Sequence, residues 1–260
     1  MTEIAFAFRC VLSSVLIGTT LAAAGEIPMS ERRSGYDMMS ADTKAMQDDD
    51  TANPASLWVL EGETLWSTKT TNNKSCADCH GDTAQSMQGV AARYPAFDTK
   101  LNKPIDLGQR INLCRAEHQN ATPFAPESRE LLALTAFVAR QSRGSPIVQD
   151  DPKMQPAIAA GRALFEQRLG QLNLSCAQCH DDNWGKQLAG STIPQAHPTG
   201  YPIYRLEWQS LGSLQRRLRN CLFGQRTELY AFDAPEMIAL EAFLMWRARG
   251  MPMDAPGVRP

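Results

Sequence analysis

The sequence predicts an all-α protein made of two similar domains in tandem, preceded by a leader and an irregular N-terminal extension. Three observations predict it. One pattern of residues is present twice, the longest apolar segments have helical spacing, and no run alternates as a half-buried strand does. The length of 260 residues is long for one compact domain and suits two small ones. A hydrophobic content of 43% is enough for packed cores, and a net charge of −2 with no basic block argues against a nucleic-acid partner.

The elements are expected in this order. Residues 1–24 read as a secretory leader: Arg9 is basic, Val11 to Leu21 is mainly apolar, and Ala22-Ala23-Ala24 supplies a small-residue cleavage site. The apolar part is too short for a membrane span, so a soluble periplasmic protein with no span in its mature form is expected. Cleavage removes Cys10 and leaves six cysteines. Residues 25–55 are polar, Met-rich and acidic, and are expected to form an extended arm or irregular cap. Residues 56–144 form the first domain, the proline-bearing segment 145–156 a linker, and residues 157–260 the second domain.

Six cysteines in an exported chain would by default suggest disulfides. Their neighbours say otherwise. Cys76-Ala77-Asp78-Cys79-His80 and Cys176-Ala177-Gln178-Cys179-His180 are both C-x-x-C-H, the attachment motif of haem c. Cysteines three residues apart share one side of a helical turn, where both can reach the vinyl groups of one porphyrin. A histidine one residue further on lies under the iron. Zinc would want the two C-x-x-C pairs much closer together, and a thioredoxin-like pair would want βαβ patterning. Two covalently bound haem c groups are therefore expected, each in a cytochrome c-like domain.

The repeat extends beyond these motifs. Gly62-Glu63-Thr64-Leu65-Trp66 matches Gly161-Arg162-Ala163-Leu164-Phe165, opening a helix before each haem site. Leu107, Arg110, Ile111 and Cys114 align with Leu214, Arg217, Leu218 and Cys221. Ala133 to Phe137 aligns with Ala239 to Phe243, within helices expected over Glu130 to Arg140 and Pro235 to Arg247, each stopped near Arg-Gly.

The second axial ligand of each iron is less direct. Domain one offers Met87, Met154, His118 and Cys114. Domain two offers Cys221, His197, Met237, Met245, Met251 and Met253. Only Cys114 and Cys221 occupy equivalent places, which assigns a thiolate to each iron opposite His80 and His180, and with it low reduction potentials. The alternatives are a Cys114–Cys221 disulfide and ligation of the first iron by His118; His197 reads as an ordinary loop histidine.

Arg217 precedes Cys221 by one helical turn, so the two share a face. A guanidinium there lowers the thiol pKa and can hold an anion, and Arg216, Arg219 and Arg226 add charge. The plainer reading is that these arginines serve the haem propionates, since Arg110 holds the equivalent place beside Cys114.

With the paired attachment sites, Asn112-Leu113-Cys114-Arg115, Arg217-Leu218-Arg219-Asn220-Cys221 and Phe223-Gly224, nearly the whole mature chain resembles the SoxA family. These are the di-haem subunits of the SoxAX cytochromes of bacterial sulfur oxidation. The resemblance implies an L-cysteine S-thiosulfotransferase, which joins thiosulfate oxidatively to a cysteine of a SoxYZ-type carrier and releases two electrons. It implies that Cys114 ligates the first haem, that Cys221 ligates the second as a persulfide at the catalytic centre, and that Arg217 binds thiosulfate. It also implies a SoxX-type mono-haem cytochrome as partner and electron acceptor. Some family members carry one haem; both attachment sites are intact here. Two other functions fit parts of the pattern: a thiosulfate dehydrogenase making tetrathionate, and a di-haem electron carrier without substrate chemistry.

Overall fold

The computed structural model describes residues 26–260; the leader expected over residues 1–24 lies outside them. The segment expected as an irregular cap contains a helix, α1 (Ala41–Asp48), begun by the Ser40 hydroxyl accepting from the Thr43 amide. It has no apolar stripe to announce it. Its buried face carries Thr43 and Gln47, and the Gln47 side-chain oxygen accepts from the Val258 amide at 2.9 Å. Asn53 donates to the Pro256 carbonyl at 3.3 Å. Polar side chains here satisfy the backbone of the C-terminal tail, which a hydrophobic pattern cannot reveal.

The first half runs α2 (Ser56–Ser67), α3 (Cys76–His80), α4 (Thr83–Ser86), β1 (Ala96–Asp98), β2 (Lys103–Ile105), α5 (Leu107–Gln119) and α6 (Arg129–Arg140). The second half runs α7 (Gln155–Glu166), α8 (Cys176–His180), β3 (Gln187–Leu188), β4 (Ser191–Thr192), β5 (Ile203–Arg205), β6 (Ser210–Gly212), α9 (Leu214–Gly224), α10 (Pro235–Arg247) and β7 (Gly257–Arg259). The fold is mostly helical. The strands, which the sequence did not announce, have two or three residues each. Alternation cannot be read over so short a run.

In each half the first helix crosses the last, α2 on α6 and α7 on α10. The repeated glycine explains the closeness of the crossing. A methyl group built on Gly62 would fall onto the carbonyl of Ala133, and one on Gly161 onto that of Ala239. Only hydrogen fits at these points, so the duplicated Gly and Ala are two sides of one contact. Phe137 and Phe243 pack beside it.

The halves share their cores. Trp66, Leu107, Leu134, Phe137 and Val138 of the first form one apolar cluster with Met245, Met251, Met253 and Ala255 of the second. Met237 is likewise fully buried, so these methionines are packing residues. The connection over 145–156 is a fixed seam: Ile147 donates to Met251 at 2.9 Å, accepts from Gly250 at 2.8 Å and is buried. Met154 packs with Phe165 inside the second core.

A cavity of about 120 Å³ lies between the halves, lined by equivalent positions of both, Asp106 with Ser213 and Thr135 with Glu241. Burial raises the Asp106 pKa to about 6, and burial followed by Asp106, Asp233 and Glu127 pushes Glu241 well above the carboxylate range. Acids raised in the folded state hold protons that the unfolded chain has released. Stability from them is present below the ordinary carboxylate pKa near 4 and is lost as pH rises through 6 and beyond. Glu241→Gln is therefore expected to unfold about 2–4 °C higher than the parent at pH 8, the effect of about 1 kcal/mol in a domain of this size. The gap should close towards pH 4, as calorimetry at both pH values will show.

Candidate active site

Each attachment motif is preceded by a serine that closes its turn. Ser75 accepts from the Asp78 amide at 3.3 Å while Asp78 accepts from the Ser75 amide at 2.7 Å. Ser175 and Gln178 make the same reciprocal pair at 3.2 and 2.9 Å. This capping box fixes α3 and α8 as single tight turns, with both cysteines on one side and the histidine next along. Trp66 lies against His80 with ring centroids 5.5 Å apart, and its repeat partner Phe165 lies 6.3 Å from His180.

The two histidines differ in their surroundings. His180 is half-buried, and its Nδ1 lies 2.6 Å from the Pro194 carbonyl. A carbonyl can only accept, so Nδ1 carries the proton and Nε2 keeps its lone pair for a metal. Burial first, then Arg217 and Arg247, lower its pKa against the pull of Pro194. Arg247 pairs with Asp181 at 2.5 Å and donates to the Gln195 carbonyl at 3.2 Å. It thereby clamps the residues that follow both His180 and Pro194. Gly81 follows His80 in the first half, and His80 is exposed.

In the first half, Cys76, Cys79 and His80 line a cavity of about 340 Å³ with Cys114, His118 and Arg110 of α5. Cys114 and His118 stand one turn apart, so the same helix face offers both donors. Arg110 forms an ion pair with Asp98, and its Nε donates to the Tyr94 hydroxyl at 3.3 Å. Burial opposes its charge, yet Tyr94 and Asp98 keep its pKa above the ordinary value.

In the second half, α9 starts at Ser213, whose hydroxyl accepts from the Arg216 amide at 3.1 Å. Its Leu214 and Leu218 pack on the same core as Cys176 and Ala177. That brings Cys221 close enough to Cys176 and Cys179 for its charge to add to the effect of burial, which raises Cys176 to about 12. The Arg217 guanidinium is half-buried beside Cys221, Tyr201 and Glu207; these outweigh burial and keep its pKa high. Among the described residues Arg217 has no carboxylate within ion-pair distance.

The wider arginine cluster expected from the sequence does not form. Arg216 lies 4.2 Å over the Trp208 ring, Arg219 donates to the Tyr230 carbonyl and lies over Phe232, and Arg226 is exposed. The arginine that does approach Arg217 is Arg205 of β5, which the sequence reading missed along with Tyr201. The repeat held the signal: Tyr94-Pro95 through Asp98 matches Tyr201-Pro202 through Arg205. The cysteines among the described residues are free, so Cys114 and Cys221 do not form the alternative disulfide. His197 is buried with Nδ1 2.9 Å from the Arg33 carbonyl, and burial takes its pKa down to about 4; it fastens the N-terminal segment.

These residues fit covalently bound haem c. The first cavity is of ligand-binding size and joins two thiols and an imidazole to a sulfur or imidazole donor on α5. The second site presents an Nε2 freed by the Pro194 contact.

Attachment turns facing a sulfur-bearing helix, within a duplicated frame of crossing helices, define a c-type cytochrome. Residues 61–147 and 160–253 match the SoxA/TsdA cytochrome c domain family. The chain belongs to that family. It is 35% identical to the L-cysteine S-thiosulfotransferase subunit SoxA of Pseudaminobacter salicylatoxidans over 96% of this chain and 88% of the relative. It is 33% identical to the subunit of the same name from Rhodovulum sulfidophilum over 88% of this chain and 80% of that one. The crystal structure of SoxXA from P. pantotrophus superposes with a TM-score of 0.84 at 28% identity, covering 88% of this chain and 87% of that one. Among the described residues no helix is long and apolar enough to cross a membrane.

Proposed function

We propose that the chain is the haem-bearing subunit of an L-cysteine S-thiosulfotransferase. It joins thiosulfate to a cysteine of a SoxYZ-type carrier protein and passes two electrons to a cytochrome c. The observation that carries this reading is Arg217, half-buried beside Cys221 and without a carboxylate at ion-pair distance among the described residues. An electron carrier would need such a cation only for the haem propionates, whereas an anionic substrate next to the sulfur gives it a second use. The relatives' shared name supports the same reaction.

The overall change balances as follows. A carrier thiol and the thiosulfate dianion form one S–S bond, and one proton and two electrons leave. Arg217 holds the dianion by charge-assisted hydrogen bonds, with its outer sulfur towards Cys221. Cys221, carrying an extra sulfur as a persulfide, supplies the sulfur atom beside which the new bond forms. His180 is oriented by the Pro194 carbonyl, and the Arg247–Asp181 pair braces the turn that carries it. Haem c, when bound, accepts and relays the electrons. Two haem groups would be held, one by Cys76, Cys79, His80 and Cys114, the other by Cys176, Cys179, His180 and Cys221. A SoxX-type mono-haem cytochrome completes the enzyme in the periplasm.

The test is the product. The purified complex, incubated with carrier protein and thiosulfate, is expected to shift the carrier's intact mass by one thiosulfonate group. Free tetrathionate with an unmodified carrier would instead make the chain a thiosulfate dehydrogenase.

A further inference from the structure

The two halves set the same frame around their arginines and opposite charges beside them. Tyr94 and Arg110 of the first half correspond to Tyr201 and Arg217 of the second, and β1 corresponds to β5. Register preserves the match: Asp98 faces Lys103 across β1–β2, and Arg205 faces Ser210 across β5–β6. In the first half Asp98 pairs with Arg110 and neutralises it. The equivalent strand end in the second half carries Arg205, so a guanidinium stands where the first half has the carboxylate that pairs with its arginine.

Arg205 is only 8% exposed. Its Nε meets Glu207 at 2.8 Å, a carboxylate half open to solvent, and its guanidinium lies 5.4 Å from the Trp208 ring. Burial and then the charge of Arg217 depress its pKa. A buried guanidinium and a half-buried one that feel each other's charge repel, and a bound anion between them removes that repulsion. A dianion can satisfy both cations; a monoanion leaves one uncompensated. Forked N–H groups on two sides also suit the oxygens of a sulfonate end.

We infer that Arg205 is a second anion-binding residue of the sulfur-transfer site, acting with Arg217 to select a doubly charged substrate over a singly charged one. The inference rests on the thiosulfate reading of that site. It also accounts for the first half having no such chemistry, because Asp98 repels an anion at the matching place.

The experiment measures calorimetric binding of thiosulfate and of thiocyanate, a monoanion, to the haem-loaded complex, together with potentiometry of the haem on the C-terminal half. In Arg205→Gln, thiosulfate binding is expected to weaken about tenfold or more, as loss of a charge-assisted bond implies. Thiocyanate binding should change far less and the haem potential should hold. Arg205→Lys, which keeps the charge, should retain most of the preference for thiosulfate and guards against a folding defect in the glutamine variant. Unchanged thiosulfate binding in Arg205→Gln would overturn the inference, and so would a shifted haem potential with binding intact, which would make Arg205 a counter-charge for the haem. If the parent complex binds no thiosulfate, the functional reading fails as well. If Arg217→Ala loses binding and Arg205→Gln keeps it, only the role of Arg205 is lost.

Discussion

Cys221→Ala is expected to abolish conjugation of thiosulfate to the carrier while both haems remain attached. On the proposed reading Cys176 and Cys179 would form the thioethers of the second half and His180 would bind its iron, so attachment would not depend on residue 221. Its sulfur is half-buried against α8, and trimming it costs little packing. What disappears is the sulfur beside which the new S–S bond is made, and no neighbouring side chain among the described residues replaces it. Intact mass should report an unchanged haem load alongside background turnover. Full turnover in a variant holding both haems would reject the sulfur mechanism.

The second large effect is expected from Arg217→Ala. The guanidinium is half-buried with no carboxylate at ion-pair distance among the described residues, so it contributes most where the substrate's two charges must be held next to Cys221. A loss of about 10²–10³ in kcat/KM is expected, the usual scale for deleting a charged donor in a dry site. Arg217→Lys should recover part of it, and haem content should not move. An unchanged rate at limiting thiosulfate would remove Arg217 from the site. The equivalent change in the first half, Arg110→Ala, breaks only the Asp98 pair and the Tyr94 contact.

Much of this was legible before any coordinates. The attachment turns are local, and Ser75 and Ser175 close them through residues within the motif. The crossing helices were legible because their contact needs glycine on one side and alanine on the other, and both are duplicated. Arg205 was hidden for the opposite reason. It arrives from a three-residue strand, while the conspicuous run of arginines on α9 points mostly to Trp208, Tyr230 and solvent. Helix α1 was hidden because amides, not apolar side chains, hold it.

The apolar cluster behind His80 takes its last members from Met251, Met253 and Ala255. The side chains that line the first pocket, Trp66, Leu107, Leu134 and Val138, are thus backed by residues of the second half, and the first repeat alone would present the attachment machinery with a socket whose lining lacks support. Duplication made the two halves alike; the shared wall made them inseparable.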